Sequence, residues 1–210
     1  MIETAVTSAP ILTQLLKYGP IALEQSMPIA DFLALDAAHP NLLMEREATG
    51  KVKIMSFFKK DSEEQEDFIS SLIGHWSVTN NLGRTYGYSK GIQLPNGAIK
   101  IPDFAWISDE RLAAAEKGDS DKFIKAVPDF VVKVRSSVEK LKKLKLKMEK
   151  LWMANGVQLA WLIDPFNEKV WIYRAGQETE EINDFKGKSL SGEEVLKGLE
   201  LPLERLSAKK

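Results

Sequence analysis

Residues 128–164 read PDFVVKVRSSVEKLKKLKLKMEKLWMANGVQLAWLID. The stretch opens on a Pro-Asp pair and an apolar, β-branched run from Phe130 to Val134, as a buried strand requires. Val138, Leu141, Leu144, Met148 and Leu151 then recur at i, i+3, i+4, i+7 spacing, which predicts a long helix, and Asn155-Gly156 supplies its stop. A second apolar run, Gln158 to Asp164, completes a strand, a helix and a strand. Two strands joined across a helix pair in parallel, so this segment predicts a crossover unit.

Upstream, IPDFAWIS at 101–108 repeats the Pro-Asp opening and predicts a neighbouring strand that could carry acidic groups to the same site. Before it, Pro95-Asn96-Gly97 separates short strand-like runs near Ile92–Leu94 and Ala98–Lys100. A long helix is expected after Asp61 or Ser62, with acids in its first turn, Phe68, Leu72, Ile73 and Trp76 on one face, and Asn80-Asn81 and Gly83 at its end. Leu42–Glu47 and Lys51–Phe57 flank Thr49-Gly50 as a hairpin, Pro28 opens a short helix, and Ile11–Tyr18 is either a short helix or an extended arm. Downstream, Lys169–Arg174 forms a hairpin with Gln158–Asp164 across Pro165-Phe166-Asn167, and a further strand-like run follows near Thr179–Phe185. Hairpins impose antiparallel neighbours and the crossover a parallel one. The fold class is therefore mixed α/β (α+β), a mixed central sheet flanked by helices. One domain is expected over 28–205, with an arm at 1–27 and a charged tail at 206–210.

With 210 residues, 44% of them hydrophobic, the chain can bury one sizeable core. Lys and Arg number 29 against 30 Asp and Glu, so the net charge of −1 favours no partner by itself. The absence of cysteine excludes disulfides, thiolate nucleophiles and Cys-ligated zinc and suits a reducing cytoplasm. His39 and His75 lie in no metal or nucleophile motif, so any metal should be held by oxygen. No apolar run approaches the roughly 20 residues that span a bilayer, and the N-terminus lacks the basic region of a signal peptide. The expectation is a cytoplasmic protein that does not engage a membrane.

The ordered blocks MEREATGKVKIM, LPNGAIKIPDFAWIS, PDFVVKVRS, a helix ending in ANG, QLAWLIDPFNEKVWIYR and LSGEEVL resemble the Uma2 family of restriction-endonuclease-like proteins, numerous in cyanobacteria, from about Ile29 to Leu203. The resemblance implies the PD-(D/E)xK nuclease-like fold and Mg²⁺- or Mn²⁺-dependent hydrolysis of nucleic acid phosphodiesters. Carboxylates suit such a site because Mg²⁺ is a hard, oxygen-seeking cation that lowers the pKa of bound water and neutralises charge on the phosphate. Carried over, the family's acids fall on Glu45 and Asp103, as metal ligands, and its water-orienting lysine on Lys147 of the long helix, with Lys145 a competing candidate. The next family acid falls on Lys133.

Each assignment has a plainer counterpart. Asp103 can cap local backbone after Pro102, and Glu45 can belong to an exposed, ion-paired edge in MERE. Lys143 and Lys145 offer a phosphate-binding surface on the lysine-rich helix, or merely a solvated face. The five tryptophans, Trp106, Trp152, Trp161 and Trp171 among them, fit a core better than a base-stacking platform. Strand alternation sends Lys133 to the face opposite Phe130, Val132 and Val134. There its ammonium would oppose a divalent ion, each contact near 4 Å being worth roughly 4 kcal/mol at intermediate dielectric. The expectation is a nuclease fold with impaired or lost catalysis. The alternative is a non-enzymatic nucleic-acid-binding or assembly protein with no cofactor. DNA is the expected partner, and a homodimer through exposed aromatic strands is a further expectation.

Overall fold

A computed structural model describes residues 9–55, 61–87, 90–115 and 123–208. In chain order the elements are α1 (Ala9–Leu16), β1 (Ile21–Ser26), α2 (Ile29–Ala38), β2 (Met44–Arg46), β3 (Lys51–Ile54), α3 (Glu63–Asn80), β4 (Gly83–Gly87), β5 (Gly91–Gln93), β6 (Ile99–Lys100), β7 (Phe104–Ser108) and α4 (Asp109–Ala114). They continue with β8 (Phe123–Ile124), β9 (Phe130–Val134), α5 (Leu141–Lys147), β10 (Leu159–Asp164), β11 (Lys169–Arg174), β12 (Glu180–Asn183), β13 (Ser189–Ser191) and β14 (Glu200–Pro202). Two compact units result, one built from the described residues before Lys59 with Gly97–Ile99, the other from the rest.

In the smaller unit β3 pairs antiparallel with both β1 and β2. The expected hairpin at Thr49-Gly50 is present between β2 and β3. Gly50 sits at φ +89, a conformation that favours glycine, and its N–H donates to the Glu47 carbonyl to close the turn. The last two residues of the predicted Lys51–Phe57 run, Ser56 and Phe57, lie outside the described residues. The MERE segment is not uniformly exposed. Glu45 is buried, and Arg46 donates to the carbonyls of Met27 (3.0 Å) and Gly97 (2.7 Å), tying three separate segments together.

The larger unit carries a six-stranded mixed sheet in the order β12-β11-β10-β9-β7-β4. β9 and β10 are parallel, in register from Leu159 opposite Phe130 to Ile163 opposite Val134, as the crossover predicts. β7 runs antiparallel to β9, and β10, β11 and β12 form an antiparallel meander. One face of this sheet presents Phe104, Trp106, Phe130, Val132, Val134, Leu159, Trp161, Ile163, Val170 and Ile172 to Ile69, Ile73 and Trp76 of α3. Phe130 meets Trp161 edge to face at 4.6 Å, a geometry that adds about 0.5–1.5 kcal/mol to the burial of the rings. The LSGEEVL region closes this core. β13 and β14 pair antiparallel, and Leu190, Leu196, Leu199, Leu201, Leu203 and Leu206 all face inward. The charged tail expected at 206–210 opens on Leu206, which belongs to the core.

Helix α5 covers the opposite face, and here the sequence reading needs correction. The helix begins at Leu141, not near Val138, whose side chain is 87% exposed. Ser136 to Glu139 instead form a turn closed by the Glu139 N–H on the Ser136 carbonyl (3.1 Å). Beyond Lys147 the helix widens into a π turn at Met148–Trp152 and ends at Gly156, φ +100. The buried stripe is thus Leu144, Met148 and Trp152. All five tryptophans are buried within the chain.

Candidate functional site

The two Pro-Asp-Phe tripeptides occupy opposite corners of the β7–β9 ladder. Phe104 pairs with Val132 and Trp106 with Phe130, so Asp103 stands one residue beyond one end and Asp129 one residue beyond the other. Each aspartate caps its partner strand. Asp103 Oδ2 accepts from the Val134 N–H at 3.0 Å, and Asp129 Oδ2 accepts from the Ser108 N–H at 2.7 Å. Terminal backbone donors that would otherwise lack a partner are satisfied in both cases.

Lys133 faces away from the α3 core, as strand alternation requires. Its Nζ lies 2.9 Å from Asp103 Oδ2 and 3.0 Å from Glu139 Oε2. The residue is only 8% exposed. Burial alone would push the lysine pKa down. The Asp103 and then the Glu139 carboxylates outweigh it and hold the ammonium well above the ordinary lysine value.

Glu139 is the residue that the sequence reading missed. It reaches back to the strand because its Oε2 also accepts from the Ser136 N–H and Oγ, both at 3.0 Å. This is half of a capping box, and the signal was legible as the S-x-x-E spacing from Ser136. The surrounding turn is fixed from two further sides. Arg135 donates to the Glu139 carbonyl (3.1 Å) and forms an ion pair with the fully buried Asp164 (2.9 Å). Of the two expected caps Ser62 occupies the N-cap position of α3, and Asp61 accepts the Ser137 N–H at 3.1 Å.

Across the sheet the row continues from Lys133 to Leu162, Trp171 and Glu181. Lys145 reaches this row at its far end, its Nζ 4.0 Å from the Trp171 ring and 3.9 Å from Glu181. Lys169 and the Trp171 indole N–H also contact Glu181, at 2.8 and 2.6 Å. Lys147 is half-buried at the last α-helical position, and Lys143 is exposed. Glu45 lies in the smaller unit, buried on β2 opposite Lys53. The cluster in the larger unit is therefore Asp103, Lys133 and Glu139.

A divalent ion does not fit between these carboxylates as they stand. Mg²⁺ demands near-octahedral oxygen at about 2.0–2.1 Å, whereas each facing oxygen already accepts from the ammonium and from a backbone N–H. Among the described residues no group of three or more His, Asp or Glu side chains is arranged to hold a metal ion. Nor is any described helix long and apolar enough to cross a membrane.

Comparison with curated proteins finds no match. Among solved structures, the chain is similar to the crystal structure of a putative nuclease belonging to DUF820 from Anabaena variabilis. The TM-score is 0.70 at 20% identity, over 86% of this chain and 97% of that one, a likeness of fold. The family model described as "Putative restriction endonuclease" matches residues 29–204. With that match spanning most of its length, the chain belongs to the Uma2 family of restriction-endonuclease-like proteins.

Proposed function

We propose that this chain is a nuclease-fold protein directed at nucleic acid whose phosphodiester hydrolysis is impaired or lost, because Lys133 supplies a fixed internal cation at the position where its family places an acid. The observation that carries this reading is the buried ammonium bridging Asp103 and Glu139 at 2.9 and 3.0 Å. A divalent ion entering the site must displace or repel that charge at close range, and a hard cation has no gain to offset it while the carboxylates stay paired. The fold and the exposed lysines of α5, Lys142 and Lys143, remain suited to contact with a phosphate backbone. Retained binding with weak cleavage is the combination expected.

Calorimetric titration of Mg²⁺ and Mn²⁺ into the native chain and into Lys133→Glu, with cleavage of duplex DNA measured in parallel, tests this reading. The native chain should show no saturable metal binding in the concentration range where Lys133→Glu does, and little cleavage. Tight metal binding by the native chain, with cleavage at the rate of the variant, would overturn the reading.

A further inference from the structure

We infer that Glu139 is the second acid of this site, carried by the turn after β9 instead of by the strand, and that Asp103 and Glu139 form a divalent-cation site which the Lys133 amine fills. The inference rests on the reading of Lys133 proposed above and extends it to a residue six positions away.

Three features support it. First, Lys133 is itself a seated cation, 8% exposed, with one oxygen from each carboxylate within 3.0 Å. Second, neither carboxylate depends on the amine for its position. Asp103 Oδ2 is anchored by the Val134 N–H, and Glu139 Oε2 by the Ser136 N–H and Oγ. Third, the turn bearing Glu139 is held by Arg135, whose own charge is taken up by the fully buried Asp164. Loss of the amine therefore leaves two fixed carboxylates facing one buried position. Like charges so placed must take up a cation or a proton. Oxygen donors of this kind, with water completing the shell, suit Mg²⁺ or Mn²⁺.

Lys133→Met keeps an unbranched stem and removes only the amine, and Lys133→Gln does so with a neutral polar end. Titrated with MnCl₂ and followed by calorimetry and by thermal melting, at least one of these variants should bind about one Mn²⁺ per chain and melt at a higher temperature with it. Adding Glu139→Gln should weaken that binding by roughly tenfold or more, since a charged ligand to a hard cation is lost. Absence of saturable Mn²⁺ binding in both variants overturns the inference, and so does binding that Glu139→Gln leaves unchanged. In either case the closed state of the native site stands. Native chain that binds Mn²⁺ as tightly as the variants removes that reading as well.

Discussion

The two Pro-Asp-Phe corners begin from the same tripeptide and the same backbone task, yet they end in different chemistry. At Asp129 the cation comes from α4. Arg111 Nε lies 3.0 Å from Oδ1, and its Nη1 donates to the carbonyls of Val127, Pro128 and Gly156. That corner is a strand cap neutralised by a partly exposed guanidinium with several acceptors. At Asp103 the cation comes from the paired strand and is buried, and a second carboxylate arrives on the following turn. The motif therefore sets where an aspartate sits. What crosses to meet it decides whether the corner is scaffold or site.

The sharpest way to break this contrast is to remove each aspartate in turn. Asp103→Ala leaves Lys133 buried with a single carboxylate, and breaking a buried ion pair costs about 3–5 kcal/mol. Asp129→Ala leaves Arg111 with its carbonyl acceptors and solvent, so the loss should be about 1–3 kcal/mol, that of a charge-assisted hydrogen bond to the backbone. Urea unfolding at neutral pH measures both. Equal losses would mean that the two corners are energetically the same and that Lys133 is not specially dependent on Asp103.

Glu139→Gln should cost less than Asp103→Ala, about 1–2 kcal/mol, because an amide oxygen can still accept from Ser136 while the charge facing Lys133 is lost. Combined with Asp103→Ala the effects should be non-additive, since both residues act on one ammonium. An additive double variant would place Glu139 in the turn alone.

Titration sharpens the same point. Because the folded pKa of Lys133 is raised above the unfolded value of about 10.4, its stabilisation is fully present below that pH and lost as pH climbs through the folded value. The gap in unfolding free energy between the native chain and Lys133→Met should therefore stay constant from about pH 7 to 10 and shrink only above that range. A gap that closes between about pH 7 and 9 would show that burial, not the carboxylates, governs this lysine.

Much of this was readable in the order of residues. The crossover from β9 to β10, the alternation that turns Lys133 away from the α3 core, and the stops at Asn81 and Gly156 follow from local spacing and backbone conformation. The start of α5 did not follow. Val138 continues the apolar period, but Glu139 folds back onto Ser136, and this local closure competes with the helix for the same backbone. That one competition hid two things at once, the true helix start and the second acid. Arg46 illustrates the same limit. Charge alternation in MERE suggests surface pairing, whereas its guanidinium bonds carbonyls from segments distant in sequence. Periodicity reports on neighbours along the chain and is blind to partners brought by the fold.

The smallest expected effect compares two lysines that meet one row of the sheet, Lys133 from β9 and Lys145 from α5. Lys133 and Lys145 are each associated with carboxylates, but Lys145 is a third exposed, stands over the Trp171 ring and shares Glu181 with Lys169. Its cation–π contact is worth about 0.5–1 kcal/mol at such exposure, and the ion pair beside it is screened by solvent. Lys145→Met should thus cost below about 1 kcal/mol and lose its effect in high salt. Lys133→Met, the same chemical change on the same face, should be severalfold larger and nearly indifferent to salt, because its partners are buried with it. Measured side by side at low and high ionic strength, the two substitutions separate a lysine that holds a site closed from one that shields an aromatic edge. If both prove small and salt-sensitive, water reaches the Lys133 cluster freely, and the internal cation loses its hold on the carboxylates.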